Sequence, residues 1–232
     1  MEDDRVRMDA HGAVRLLTLN RPDKLNAADL PMQRALVERW KSIETDDQVR
    51  AVVVTGAGRS FCAGGDLSLV DALAAGNEAL QQELSLIHRQ LLTAMLETDL
   101  PVIAAVKGAA VGFGAELLAL CDIVVMAEGA FLSDPHVKYG LPPSPACQLV
   151  WPYLTSVAVA KELLMSGRRV GADEALRLGL VNRIAARGEE LKVALRIAKA
   201  LAALPVSGLV AVKRVFNRPL VEQVRRDESG ER

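Results

Sequence analysis

Aromatic side chains are scarce in this chain, at 3% of 232 residues. That is too few for the stacking platforms that hold single-stranded nucleic acid. Charge of either sign is not in excess, with 28 Lys and Arg against 29 Asp and Glu, so the basic footprint of a nucleic-acid partner is missing. Cysteines number three (Cys62, Cys121 and Cys147); their spacing suits no metal and leaves one unpaired, as expected of reduced thiols in a cytoplasm. The three histidines, His11, His88 and His136, are far apart in sequence, so no protein metal site is expected. No apolar run reaches about 18 residues, so no membrane-spanning helix is expected. The opening MEDDRVRMDA is acidic and polar, unlike a secretory signal. These absences predict a cytoplasmic protein with neither a membrane nor a nucleic-acid partner.

What is present is apolar material, at 50% of the residues, ample for one core. AVRLLTLN (13–20) and VRAVVVTG (49–56) read as strands. Between them DLPMQRALVERWKSIETD has apolar residues at helical spacing, with Asp29 as N-cap and Pro31 just inside. A helical pattern covers roughly 77–97, PVIAAVKG (101–108) is a buried strand, GFGAELLALC (112–121) a glycine-opened helix, and DIVVMAE (122–128) a strand. Strand and helix alternate, which argues an α/β fold. From about 157 the chain turns mostly helical, apart from one strand-like LVNRI.

Two strand-to-helix turns carry the chemistry. In SFCAGGDLS (60–68) small residues and the adjacent Gly64 and Gly65 precede Asp66, a candidate helix cap. In VKGAAVGFGAELLALCD a helix opens at Gly112–Gly114, with Glu116 set among Ala115, Leu117, Leu118 and Ala119. Glycine lets a ligand approach the backbone where a Cβ would block it. The first N–H groups of a helix have no internal partner and carry positive partial charge. Two such openings aimed at one oxygen form an oxyanion hole. Glu116 is either an ordinary solvent-facing glutamate or a carboxylate held among apolar residues because it has a task.

The combination of NRPDKLNA, SFCAGGDL, AAVKGAAVGFGAELLALCDIVV, SDPHVKYGL and AKELLMSGRRVGADEALRLGLVNRI resembles the enoyl-CoA hydratase/isomerase (crotonase) superfamily. The match runs in order from about 13 to about 217. It implies a crotonase-like spiral of ββα units over 1–185 and a helical C-terminal segment over 186–232, serving trimerisation and carrying a short lid. It implies a coenzyme A thioester as substrate rather than any cofactor, and a homotrimer or dimer of trimers. The family's N–H donors fall on Gly65 and on Phe113, where relatives usually have glycine, so a phenyl ring is expected beside the site. Lys24, Leu25 and Ala27 match the segment that holds CoA, and Ala63, Gly64, Asp66, Leu67 and Gly112 match the walls of the substrate site.

Glu116 matches one of two glutamates used by hydratases of the family, but the second position holds His136. An imidazole titrates near neutrality and can act as base or acid, so either residue can activate water while the other delivers a proton. The alternative for His136 is a satisfied pocket-wall histidine. Asp134, two residues away, is a candidate to orient it. The family's G-L-x-P-G-x-G-G reads here Gly140-Leu-Pro-Pro-Ser-Pro-Ala-Cys147, three prolines replacing glycines beside the acyl pocket. The expected activity is hydration of a 2-enoyl-CoA. The alternatives are double-bond isomerisation, hydrolysis or decarboxylation of a thioester, and a catalytically weakened acyl-CoA-binding homologue. A dinucleotide fold is rejected because the third glycine after Gly56-Ala-Gly58 would fall on Phe61. A nucleophile-elbow hydrolase is rejected because GxSxG is absent. Cys62 lacks a base nearby in sequence and reads as a small buried thiol.

Overall fold

The computed structural model describes residues 4–229. Its elements run β1 (Val6–His11), β2 (Val14–Leu19), α1 (Leu30–Glu44), β3 (Ala51–Gly56), α2 (Leu67–Ala74), α3 (Glu78–Glu97), β4 (Val102–Val106), β5 (Ala109–Val111), α4 (Phe113–Ala119), β6 (Ile123–Ala127) and β7 (Phe131–Ser133). After a short 3-10 turn at His136–Tyr139 come α5 (Pro145–Leu154), α6 (Val157–Ser166), β8 (Val170–Gly171), α7 (Ala172–Leu178), β9 (Arg183–Ala185), α8 (Glu190–Ala202) and α9 (Val206–Ser229). The strands at 13–20, 49–56, 101–108 and 122–128 expected from the sequence are β2, β3, β4 and β6, and LVNRI (180–184) overlaps β9.

A six-stranded sheet has the order β1-β2-β3-β4-β6-β9, parallel from β2 onward, and a three-stranded sheet has the order β5-β7-β8. β4 feeds β5 and then α4, and β6 feeds β7 and then α5. β4 and β6 thus each hand the chain to a short second-layer strand and then to a helix. After β3 the second-layer role falls to Cys62, bridged in parallel to Ala110 of β5. This is the expected ββα repeat. Parallel strands need both faces covered, and alternate residues supply two apolar faces. Val52 and Val54 face the main core with Trp40, Leu91 and Leu117. Ala51 and Val53 face α8, whose Ala194 and Ala198 are small enough for close approach.

Helix starts follow local chemistry. Asp29 accepts from Met32 N at 2.9 Å, with Pro31 in the first turn of α1, and Asp66 accepts from Ser68 N at the start of α2. α9 is held across α3 by polar ties. Lys213 Nζ lies 2.8 Å from both Asp122 Oδ2 and the Leu100 carbonyl, and Asn217 Nδ2 donates to the Leu96 carbonyl at 2.9 Å.

Candidate active site

Gly64 and Gly112 set the two turns. Gly64 has φ +109°, and a Cβ there would sit 3.2 Å from the Val111 carbonyl oxygen. Gly112 has φ +50° and ψ −112°, and a Cβ there would sit 3.4 Å from His136 Cε1 and 3.8 Å from Gly64 Cα. Both need glycine for conformation, and at Gly64 the close carbonyl adds a steric reason. Gly65 does not: a Cβ there would meet only Val70 Cγ2, at an ordinary 3.6 Å. Gly114 packs against Cys62, since a Cβ would lie 2.7 Å from the Cys62 carbonyl oxygen. The turns at 62–65 and 111–114 therefore lie directly against each other. The thiol of Cys62 is buried, and burial pushes it up to about 12 against a weak contact to the Gly64 carbonyl, which suits the inert role expected of it.

The backbone pattern shows where the N–H groups point. Ala28 N donates to the Gly64 carbonyl at 2.7 Å and Asp66 N to the Ala28 carbonyl at 3.0 Å. In such a parallel bridge the N–H of the middle residue, Gly65, points away from Ala28. Gly112 N donates to the Ser133 carbonyl at 2.9 Å, while Phe113 is the first residue of α4, where the N–H has no intrahelical acceptor. The phenyl ring expected beside the site is packed inside the fold. Phe113 is only 3% exposed, and its ring packs against His88 with centroids 5.4 Å apart.

The segment 24–28 is laced to the first turn. Lys24 is exposed at the end of a 3-10 turn, Leu25 has φ +53° and Asn26 φ +58°, a conformation that costs a side-chain-bearing residue energy. Buried Asn26 holds it: its Oδ1 accepts from Arg21 N, and its Nδ2 donates to the carbonyls of Ala57 and Ser60, all at 2.8 Å. Leu25 O accepts from Ala63 N at 3.0 Å. Arg21 donates to the Ala27 carbonyl and to Asp66 Oδ2, the latter at 3.0 Å, and this bond holds the Asp66 carboxyl below its ordinary range. Lys24, Leu25, Ala27, Ala63, Gly64 and Asp66 are thus brought together. Leu67 begins α2 and is 69% exposed.

Glu116 is 2% exposed, so the solvent-facing alternative is excluded. Its Oε2 lies 3.0 Å from His88 Nδ1 but out of line for a hydrogen bond, and that oxygen has no aligned donor. His88 comes from α3 and was missed from sequence. Its signal was there: it occupies the buried stripe of α3 with Leu84, Leu91, Leu92 and Met95, where a titratable group is costly unless partnered.

His136 also has a carboxylate partner, the neighbouring Asp134. The chain leaves β7, passes Pro135 at φ −90° and ψ 13°, and enters a 3-10 turn. The turn folds His136 back onto Asp134, whose Oδ1 accepts a short hydrogen bond from Nδ1. Asp134 is 1% exposed, and its Oδ2 accepts from Ser144 N at 2.8 Å. Burial pushes this carboxyl up, but the bonds from His136 and Ser144 and the imidazole's charge outweigh it and hold it low. With Nδ1 committed, Nε2 is left free, and the edge bearing Cε1 and Nε2 faces the Gly112 turn. Pro145 of the proline-rich segment serves as the first residue of α5. Cys147 of α5 is buried, and burial followed by the charges of Asp134 and Glu116 raises its thiol well above the ordinary range. One side chain thus senses both carboxylates. A separate cavity of about 800 Å³ lies between α1 and α3, near Trp40, Glu44 and Glu97, and contains none of these groups.

Known proteins share sequence and fold with this chain. The family model for enoyl-CoA hydratase/isomerase matches residues 9–231. A carnitinyl-CoA dehydratase of Salmonella typhi is 34% identical over 232 residues, 98% of this chain and 87% of the relative. A probable peroxisomal enoyl-CoA hydratase 1 of Arabidopsis thaliana is 31% identical, over 89% of this chain and 76% of its own. The crystal structure of an enoyl-CoA hydratase/isomerase from Mycobacterium paratuberculosis superposes with a TM-score of 0.88 at 39% identity, covering 95% of this chain and 87% of that one. With that extent of shared sequence and fold, the chain belongs to the enoyl-CoA hydratase/isomerase family, within the crotonase superfamily.

Proposed function

We propose that the protein adds water to a 2-enoyl-CoA, or removes it in the reverse direction. The observation that carries this reading is the presence of two carboxylate–imidazole pairs, Glu116–His88 and Asp134–His136, around adjoining turns with outward N–H groups. Hydration needs one group to take a proton from water and another to give one to carbon. The thioester oxygen receives the N–H groups of Gly65 and Phe113, which stabilise the enolate as charge builds on it. Glu116 takes a proton from water while the hydroxyl adds to C3. His136, in its protonated form, then delivers its proton to C2. Reversal of these steps gives dehydration. In this reading Lys24, Leu25 and Ala27 hold the CoA portion, and Ala63, Gly64, Asp66, Leu67 and Gly112 meet the acyl end. The names of the relatives, a dehydratase and a hydratase, support the same pair of reactions.

Mass spectrometry of short, branched and aromatic 2-enoyl-CoA thioesters in ¹⁸O-water tests this. The expected product carries one added water with the heavy oxygen. An isobaric product from a 3-enoyl-CoA, with no water uptake on any 2-enoyl-CoA, would replace hydration by isomerisation. Free CoA would replace it by hydrolysis. Asp134→Asn should lower kcat about 10²–10⁴-fold, the usual worth of a positioned proton-transfer group, with little change in KM. Steady-state kinetics on the same thioester checks this, and an unchanged kcat would leave His136 a pocket-wall residue.

A further inference from the structure

Glu116 is enclosed, yet one of its oxygens lacks an aligned donor. The group beside it is itself tethered. Gln33 on α1 donates its Nε2 to the Ala28 carbonyl at 3.3 Å, which leaves Gln33 Oε1 to face His88 Nε2 at 3.0 Å. Oε1 only accepts, so His88 Nε2 carries a hydrogen. In a neutral ring of that tautomer Nδ1 bears a lone pair, and it would stand 3.0 Å from an oxygen of Glu116. Two lone pairs at that distance repel. The pair must therefore hold a proton, on the ring or on the carboxyl.

We infer that His88 is the positioning residue of Glu116: tethered by Gln33, it carries the proton of the pair on its own ring and keeps the carboxylate ionised. Glu116 is thereby restricted to accepting a proton, and delivery to carbon falls to His136. This division of labour rests on the hydratase reading, but the pairing itself does not. Because the Nδ1 contact is off-line, attraction acts through charge, and the lone pairs of Oε2 stay available to a water or a substrate proton. The groups facing the pair are few. α1 presents uncharged Gln33, α4 presents Glu116 and the Phe113 ring, and α5 presents Cys147, beyond which stands the Asp134–His136 pair. Burial pulls the His88 ring toward neutrality, but the neighbouring Glu116 outweighs it and leaves the ring raised, in agreement with the geometry.

The test has two arms. The first is an NMR titration of the imidazole rings in the wild type and in Glu116→Gln, with His88 assigned by its absence in His88→Gln. His88 should titrate above a free imidazole in the wild type and fall by about one pH unit or more in Glu116→Gln, the range expected on losing an opposite charge at this distance. The same midpoint in both proteins, or a ring neutral throughout in the wild type, would overturn the pairing. The second arm is the pH profile of kcat/KM. In His88→Gln the buried carboxylate loses its counter-charge, so its ionisation moves to higher pH. The acid limb should shift upward by about one unit or more, giving a roughly tenfold loss below the limb that shrinks as pH rises. A uniform loss at every pH would mean that His88 is structural only and overturn the inference. If the wild type turns over no thioester, the hydratase reading fails, and the first arm still decides the pairing.

Discussion

Glu116→Gln should abolish turnover while sparing thioester binding. The substitution preserves shape but removes the lone proton-accepting charge on α4. Removing a positioned acid–base group costs about 10²–10⁴-fold, and here the amide also sets an N–H or a carbonyl against His88 Nδ1 where a carboxylate stood at 3.0 Å. Burst and steady-state kinetics, run beside calorimetric titration with a non-reactive acyl-CoA, should show kcat falling by at least about a hundredfold and Kd staying within a few-fold of wild type. A kcat equal to that of the wild type would remove Glu116 from the reaction.

Gly112→Ala should produce the second large effect. At φ +50° and ψ −112° an L side chain is strained, which costs about 1–3 kcal/mol. The new methyl would also come into contact with His136 at 3.4 Å and with Gly64 Cα at 3.8 Å. The chain can relieve this only by rotating the turn that aims the Phe113 N–H. Loss of one such donor costs about 10²–10³ in kcat, so kcat should fall by that much while the protein still folds with a lowered Tm. Thermal melts separate the two components, and a wild-type kcat at any Tm would show that the turn does not serve the reaction.

Much of this arrangement is legible in the sequence because it is local. β3 is a run of β-branched residues, and the caps at Asp29 and Asp66 are short-range polar chemistry. The Gly112 turn and the buried Glu116 follow from a strand ending in glycine and an apolar helix carrying one carboxylate. What was not legible depends on distance or on a single dihedral. His88 and Gln33 are 55 residues apart, and nothing in either helix states that the two face one another. Asp134 and His136 are near in sequence, but their meeting depends on Pro135 leaving the extended region. The adjacent Gly64 and Gly65 look alike in sequence, yet only Gly64 occupies a conformation that excludes a side chain.

The Cys62–Ala110 and Ala28–Gly65 bridges have a consequence for how the molecule acquires its site. The segments near 28, 64, 112 and 134 come from four separate stretches of the chain, so the complete site exists only when β3, β4, β5 and β7 are all in place. These pairings span long stretches of sequence, and contacts of that kind form late and slowly in folding. A small molecule gripping all four segments would recognise the native chain alone. By mass action it would draw the folding equilibrium of the whole ensemble toward the native state, making occupancy a reporter of complete folding.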